Sequence, residues 1–298
     1  MLIGFSLPQF GAVAHQAELV PEFARRAEDL GADSLWVGDR LLAPVRPIVG
    51  YAGADTIPEG FNSRLDPFAL LTVAATATRR ALIGTNVLNA PWYPPALLER
   101  SLTTIDRLSG GRLLAGFGIG WSPEEYEAVG VPMASRGARL DESLDALESL
   151  WTADPAEFHG RHWSVPATRA ALRPARTPRP PVYLGGYAPA ALDRIARRAD
   201  GWLPVTVPGA APFDPASVNG PLARIRDLAA DHGRDPAAVD VVLRLNPQES
   251  ATVDDVVATI ARAGKETDVD HVFVELMYVA GDVEGALDFA ARVLDRAR

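Results

Sequence analysis

The stretch from Ala81 to Trp121 constrains the fold of this chain more than any other feature of the sequence. Residues 81–87 are short and apolar, a pattern typical of a strand that is buried on both faces of a parallel sheet. A helix is predicted next, because prolines 94–95 suit a first helical turn and glycines 110–111 suit a helix end. Residues 113–117 then form a second apolar strand. Strand, helix and parallel strand make one βαβ unit, whose two strands end at the same rim of a sheet.

The same alternation continues along the whole chain. Strands are predicted at residues 2–7, 34–37, 81–87, 113–117, 181–184, 201–203, 239–245 and 271–275. Helices are predicted at residues 19–30, 68–78, 94–109, 136–151, 188–199, 222–232, 252–263 and 283–297. This alternation predicts an α/β fold, a (β/α)8 TIM barrel with insertions, in which residues 1–298 form a single domain. Residues 41–66 and 157–179 have no clear period and are predicted to be insertion loops, the second with a β-hairpin in EFHGRHWSV.

The composition excludes several kinds of protein. The 298 residues include no cysteine, so disulfides, thiolate nucleophiles and cysteine metal sites are excluded. A net charge of −9 argues against binding to nucleic acid or to an anionic membrane. The sequence has no apolar run long enough to cross a bilayer, and MLIGFSLPQFG begins a strand without a charged leader. We therefore expect a cytoplasmic protein whose partner is a small-molecule substrate.

Glycines lie where two of the predicted strands end. Gly118 and Gly120 follow the fourth strand, and their bare backbone would let a flat ligand come close. The third glycine of a dinucleotide-binding fingerprint is missing, so a Rossmann site is excluded. Gly185 and Gly186 follow the fifth strand directly before a helix, where exposed N–H groups and the helix N-terminus suit a phosphate. An ordinary strand-to-helix turn also favours glycine, but the late loops of barrels commonly bind phosphate, which favours a phosphate site here.

Polar and aromatic side chains follow the second and third strands. Asp39 and Arg40 could orient a substrate or cofactor through charge-assisted hydrogen bonds, or they could form a structural ion pair at the barrel mouth. Trp92 and Tyr93 could wall a substrate pocket or fix a loop. We predict no metal site, because the two histidines of HGRH lack a third ligand in their predicted hairpin.

Three segments carry a resemblance to a known family: LGADSLWVGDRLL at residues 30–42, GTNVLNAPWYPPALLERSLTTIDRLSGGRLLAGFGIGW at residues 84–121 and PVYLGGY at residues 181–187. On these motifs the chain resembles the bacterial luciferase-like monooxygenase superfamily, and in particular its branch of coenzyme F420-dependent oxidoreductases. The resemblance implies a deazaflavin cofactor, coenzyme F420, with flavin mononucleotide (FMN) as the alternative because FMN enzymes share the scaffold. It also implies a homodimer, since relatives are commonly dimers.

The resemblance also implies roles for individual residues. The family's non-prolyl cis peptide, which presses on one face of the bent deazaflavin, maps onto the bond between Asn86 and Val87, and the cofactor phosphate maps onto residues 185–187. With the strand-end glycines, the predicted cofactor-binding residues are Thr85, Asn86, Val87, Gly118, Gly120, Trp121, Gly185, Gly186 and Tyr187. Trp92 and Tyr93 are the predicted substrate-binding residues.

The chain departs from the family at a catalytic position. Many relatives have an Asp-His pair, with the histidine as a candidate proton donor, where this chain has Asp39 and Arg40. Arginine stays protonated in proteins, so Arg40 could polarise a carbonyl group or hold an anion but is a poor proton shuttle. We predict that Asp39 and Arg40 are the catalytic residues, and the identity of the general acid stays open.

Together these features predict an oxidoreductase that transfers a hydride between coenzyme F420 and a small organic substrate. The alternatives are an FMN-dependent two-component monooxygenase and, from a different class, a non-catalytic deazaflavin-binding protein on the same scaffold. A metal hydrolase barrel is a more distant alternative. The insertion at residues 41–66 should define the substrate, but it contains no readable motif.

Overall fold

Strands and helices alternate along the chain. The computed structural model describes the backbone of residues 1–298 and every side chain except that of Ala52. The strands are β1 (Leu2–Ser6), β2 (Ser34–Val37), β3 (Leu82–Thr85), β4 (Leu88–Asn89), β5 (Leu113–Gly118), β6 (Ala156–His159), β7 (Ser164–Thr168), β8 (Val182–Leu184), β9 (Gly201–Trp202), β10 (Val205–Thr206), β11 (Asp240–Leu245) and β12 (His271–Val274). The α-helices are α1 (Val20–Leu30), α2 (Pro67–Ala77), α3 (Pro95–Ser109), α4 (Pro123–Ala128), α5 (Arg136–Thr152), α6 (Pro189–Arg198), α7 (Ala216–Asp231), α8 (Val253–Glu266) and α9 (Val283–Ala297). Short 3₁₀ helices lie at Gly11–Leu19, Tyr51–Gly53, Glu59–Asn62, Ala90–Trp92, Met133–Ser135 and Pro236–Ala238.

Parallel pairing closes the strands into a barrel. Around the ring the order is β1, β2, β3, β5, β8, then β9 with β10, then β11 and β12, and β12 pairs with β1. The sixth position is divided between β9 and β10, which both pair with β11. The (β/α)8 TIM barrel predicted from the sequence is therefore confirmed. None of the helices in the described chain is both long enough and apolar enough to cross a membrane.

Large side chains fill the interior of the barrel. A buried cluster there consists of Trp36, Leu114, Tyr183, Leu203, Val242 and Phe273. The rings of Trp36 and Phe273 stack with their centroids 4.6 Å apart. Gly84 makes room for this stack, since a Cβ at residue 84 would lie 2.5 Å from the Trp36 ring. Because the interior is filled, a ligand must bind at the rim, and barrel enzymes use the carboxyl ends of their strands for this purpose.

Most predicted elements lie within a few residues of their observed bounds, and the exceptions have local causes. The helix predicted at residues 222–232 begins at Ala216 instead, because Pro221 lies inside α7 rather than before it. The strand predicted at residues 201–203 is observed as β9, and Pro204, which has no N–H to donate, separates it from β10. The single strand predicted at residues 81–87 is shorter in the structure. It is observed as β3, and the short strand β4 follows after two residues. The predicted hairpin is present as the antiparallel pair of β6 and β7.

A buried carboxylate fastens α1 to the segment before β3. Glu28 is 6% exposed, and its side chain accepts hydrogen bonds from the backbone N–H groups of Arg79 (3.0 Å), Arg80 (2.6 Å) and Ala81 (2.7 Å). Burial acts to raise the pKa of Glu28, but the three N–H donors outweigh it and hold this pKa below the usual 4.5. The ionised carboxylate therefore stabilises the fold.

We predict that Glu28→Gln lowers the free energy of unfolding at neutral pH by about 1.5–3 kcal/mol, the range for hydrogen bonds to a charged group. The lowered pKa means that this contribution is present above the usual pKa of 4.5 and is lost as the pH falls through the lower folded value. Urea unfolding across this pH range should therefore show the two proteins converging in acid. Glu18→Gln, at an exposed position of the same region, is the control. An equal loss in both variants would contradict the assignment.

Candidate active site at the carboxyl ends of the strands

One cavity at the rim brings most of the predicted site residues together. Its volume is ≈ 320 Å³, at the lower end of the range for small-molecule sites. The predicted residues that line it are Asp39, Arg40, Asn86, Val87, Gly118, Gly120, Trp121, Gly185, Gly186 and Tyr187. The predicted ring site and the predicted phosphate site therefore open into the same space.

Val87 lines the cavity and packs against bare backbone. A Cβ at residue 118 would lie 2.5 Å from Val87 Cγ2, and a Cβ at residue 185 would lie 3.3 Å from Val87 Cγ1. Gly120 has a positive φ of 63°, and a Cβ there would lie 3.0 Å from the Asn89 side chain. The peptide bond between Asn86 and Val87 is cis, as the resemblance implies. Glycine at these strand ends therefore lets the backbone approach Val87 and Asn89 closely.

The loop between β8 and α6 presents free backbone donors to the cavity. Gly185 donates its own N–H to the Phe117 carbonyl (3.0 Å), so that group is already used. The N–H groups of Gly186, Tyr187 and Ala188 have no acceptor among the described residues. The loop is held in place from behind, because Trp202 Nε1 donates to the Gly186 carbonyl (3.0 Å). The phosphate site predicted at residues 185–187 stays a prediction, and the free N–H groups in this loop are those of residues 186–188.

Asp39 is a buried carboxylic acid at the cavity wall. It is 9% exposed, and its carboxyl group accepts hydrogen bonds from the backbone N–H of Asn89 (2.9 Å) and the hydroxyl of Tyr93 (3.1 Å). Burial raises the pKa of Asp39 from the usual 3.8 to about 7, against the lowering effect of these two donors. Burial also raises the pKa of Tyr93, which keeps its hydroxyl protonated as a donor. Asp39 can therefore exchange a proton near neutral pH.

Arg40 turns away from Asp39 and pairs with Glu125. Its Nη1 lies 3.0 Å from Glu125 Oε2, and the Arg40 and Glu125 side chains are 7% and 0% exposed. The guanidinium carbon of Arg40 lies 4.4 Å from the centre of the Trp121 ring, within cation–π range. Arg40 Nε is buried and has no acceptor among the described residues. The structural Asp39–Arg40 pair, one of the two sequence-based alternatives, is not formed.

The two glutamates that follow β5 hold the insertion at residues 41–66 over the cavity. Glu125 accepts hydrogen bonds from the N–H groups of Leu41 (2.7 Å) and Leu42 (3.0 Å). Glu124 accepts one from the N–H of Ile48 (2.6 Å). Both glutamates are therefore occupied with this segment.

Three predicted site residues lie behind the cavity wall rather than in it. Thr85 Oγ1 donates to the Gly116 carbonyl (2.7 Å), which joins β3 to β5. Trp92 is 7% exposed and packs edge-to-face on Tyr126, with centroids 6.0 Å apart. Tyr93 contacts Asp39 as described above. Their direct contact with cofactor or substrate stays a prediction, and in the structure they support residues that line the cavity.

Nine other residues line the cavity without having been predicted, and four of them carry large or charged side chains that bear on the chemistry: Phe10, Tyr51, Phe61 and Arg244. Phe10 comes after the end of β1, so its place at a strand end was a usable signal. Arg244 is the charged residue in the otherwise apolar sequence VVLRL of β11, which is unusual for a buried strand. Tyr51 and Phe61 belong to the insertion, where no sequence pattern marks them.

The chain matches the luciferase-like monooxygenase family over residues 2–294. It therefore belongs to the luciferase-like monooxygenase family. An uncharacterized protein of Mycobacterium tuberculosis is 33% identical over 217 residues, which cover 71% of this chain and 71% of that protein. The F420-dependent glucose-6-phosphate dehydrogenase of Amycolatopsis mediterranei is 33% identical over 188 residues, which cover 61% of this chain and 51% of that enzyme.

Solved structures share the fold over nearly the whole chain. The monooxygenase RslO1 from Streptomyces bottropensis superposes with a TM-score of 0.79 at 20% identity, covering 99% of this chain and 98% of that one. An F420-dependent secondary alcohol dehydrogenase, in complex with an F420-acetone adduct, superposes with a TM-score of 0.76 at 17% identity, covering 100% and 99%. At these identities the likeness establishes the barrel and leaves the choice between F420 and flavin open.

We predict that Glu125→Gln loosens the insertion at residues 41–66. The change removes the charge that pairs with Arg40 and weakens the two backbone hydrogen bonds from Leu41 and Leu42. Hydrogen–deuterium exchange in peptides that cover residues 41–50 should accelerate by about tenfold or more, since bonds to a charged acceptor contribute about 1.5–3 kcal/mol. Glu127→Gln, at an exposed position of the same helix, should leave exchange unchanged. Unchanged exchange in the Glu125 variant would show that other contacts hold the insertion.

We predict that Asp39→Asn changes the pH dependence of stability. In the unfolded chain Asp39 ionises near 3.8 and in the folded protein near 7, so between these values the native state holds a proton that the unfolded state has released. Wild-type stability should therefore fall as the pH rises through this window. Relative to wild type, the variant should gain on the order of 2–3 kcal/mol between about pH 5 and about pH 8. Urea unfolding measures this, with exposed Asp231→Asn as the control, and a constant difference would contradict the burial of an acid.

Proposed function

We propose that this protein is an oxidoreductase that transfers a hydride between coenzyme F420 and a small organic substrate. The observation that carries this proposal is one cavity lined by three features: Val87 against bare backbone, the free N–H donors of Gly186 and Tyr187, and the buried acid Asp39. For such a reaction the protein has to bind the flat ring and the phosphate of the cofactor and to place a proton-exchanging group beside them.

The residues that line the cavity fit a deazaflavin. Asn86 Nδ2 is buried without an acceptor among the described residues, and it would donate to a ring carbonyl oxygen. The N–H groups of residues 186–188 would hold the phosphate, and the backbone at Gly118 and Gly120 would lie against the ring. When bound, the cofactor supplies the carbon that gives or accepts the hydride. All of these free protein groups are donors, and the phosphate and ring carbonyl groups are acceptors.

Asp39 takes the role that histidine has in the Asp-His relatives. In the reducing direction, Asp39 would give a proton to the oxygen of a substrate carbonyl group whose carbon takes up the hydride, so that the carbonyl group becomes an alcohol. Arg40 cannot give up its proton, but its free Nε–H would polarise the same oxygen. Tyr93 and the Asn89 N–H keep the Asp39 carboxyl group oriented during this exchange.

Sequence similarity supports F420 over FMN. The F420-dependent glucose-6-phosphate dehydrogenase is related to this chain at 33% identity. A phthiodiolone/phenolphthiodiolone dimycocerosates ketoreductase of Mycobacterium bovis is 29% identical over 218 residues, which cover 70% of this chain and 55% of that enzyme. The monooxygenase RslO1, at 20% identity, supports only the shared barrel.

Anaerobic titration with F420 and with FMN, each oxidised and reduced, tests the proposal. We expect the protein to bind F420 more tightly than FMN, and the loaded protein to exchange hydride with members of a carbonyl, imine and alkene panel without oxygen consumption. Tight FMN binding with oxygen consumption and no F420 binding would overturn the proposal in favour of a flavin monooxygenase. F420 binding without turnover on any member would instead indicate a carrier.

We predict that Gly186→Ala weakens F420 binding by about tenfold or more. Gly186 has a φ of 136°, and a Cβ there would lie 2.8 Å from the Ala191 Cβ, so the loop must shift and its donors move. Gly233→Ala is the matched control, because Gly233 also has a positive φ (73°) but its Cβ would meet nothing within 4 Å. Fluorescence titration should show a loss of affinity only for the Gly186 variant. Equal affinities in the two variants would place the phosphate elsewhere.

A further inference from the structure

Arg244 lines the cavity and carries a buried donor without a partner. It lies near the carboxyl end of β11, its side chain is 16% exposed, and it lines the same cavity as Asp39. Its Nη2 donates to Glu275 Oε2 (2.8 Å), but its Nε is buried and has no acceptor among the described residues. A buried guanidinium donor without a partner costs free energy unless a ligand supplies the acceptor. The feature therefore points to a ligand atom that accepts a hydrogen bond.

Glu275 offsets the positive charge of Arg244. It is 4% exposed, and it follows β12 beside Arg244. Its second oxygen accepts the Met277 N–H (3.2 Å), so the carboxylate is fixed in place. Across the cavity, Glu125 offsets the charge of Arg40 in the same way. The cavity thus has spare Nε–H donors on two guanidinium groups but no spare positive charge.

Arg244 and Arg40 lie on a different part of the rim from the residues proposed to hold the cofactor. The residues proposed to hold the cofactor follow β3, β5 and β8, which are consecutive around the ring. Arg244 belongs to β11, and Arg40 comes after the end of β2; between these two strands the ring contains β12 and β1. Both arginines therefore lie on the part of the rim opposite the residues proposed to hold the cofactor, where a substrate would bind.

We infer that Arg244 binds an oxygen of the substrate and that the cavity selects uncharged carbonyl compounds over carboxylates. This inference rests on the proposed function, since it assumes that a substrate occupies the wall opposite the cofactor. A carbonyl oxygen satisfies the free donors without adding charge. A carboxylate would bring a negative charge beside Asp39, Glu125 and Glu275, with both guanidinium groups already paired.

The test compares two probes of the same size, cyclohexanone and cyclohexanecarboxylate. Their binding to the protein is measured by ligand-observed NMR titration, with and without saturating F420. We expect wild type to bind the ketone at least tenfold more tightly than the carboxylate. Arg244→Met should weaken ketone binding by about tenfold to a hundredfold, the effect of losing a hydrogen bond to a charged donor, while F420 affinity stays unchanged. Arg292→Met, which breaks an exposed Arg–Asp pair on α9, should change neither.

The second variant, Glu275→Gln, tests whether the negative charge of Glu275 makes the cavity disfavour carboxylates. The glutamine keeps an acceptor for Arg244 but removes the negative charge, so carboxylate binding should strengthen by about tenfold relative to ketone binding. The inference is overturned if wild type prefers the carboxylate or binds neither probe, if Arg244→Met leaves ketone binding unchanged, or if Glu275→Gln leaves the ratio unchanged. Failure of F420 to bind would overturn the proposed function alone, because the probes are also measured without it.

Discussion

The contact between Val87 and bare backbone at two neighbouring strand ends is the constraint on which the site depends. A Cβ at residue 118 or residue 185 would come within 2.5 Å or 3.3 Å of the Val87 side chain. At either place, Val87 or the new side chain would have to move. Gly186 also has to lack a side chain, because a Cβ there would lie 2.8 Å from the Ala191 Cβ and would displace the loop that carries the free N–H groups. The shape of the cavity and the proposed phosphate site therefore depend on the same short segments.

The arrangement of charges around the cavity explains why the pKa of Asp39 is raised although Arg40 is the next residue in the chain. Arg40 forms an ion pair with Glu125, and Arg244 forms one with Glu275. Because each guanidinium is already paired, neither stabilises the ionised form of Asp39. Burial then keeps the pKa of Asp39 near neutrality. In the relatives with an Asp-His pair the histidine is a candidate proton donor. This chain has Arg40 at the position of that histidine, so the proposed function assigns the proton exchange to Asp39.

Local sequence patterns were sufficient to predict the barrel and to place the glycines at the ends of its strands. Proline at the start of α3 and Gly110 at its end, with a φ of 68°, are recognisable because each acts within a few residues of its position. The ion pair between Arg40 and Glu125 joins residues far apart in sequence, and nothing near either residue specifies its partner. The same holds for Arg244 and Glu275 on adjacent strands. Such contacts decide which polar groups are left free, so the electrostatics of the site could not be predicted from the sequence.

A crystal structure of the protein with F420, grown anaerobically, would show where the cofactor lies. We expect the deazaflavin ring to lie against Val87 between Gly118 and Gly120, and the phosphate to accept hydrogen bonds from the N–H groups of Gly186 and Tyr187. A cofactor bound in a different cavity, or a phosphate held away from this loop, would contradict this expectation.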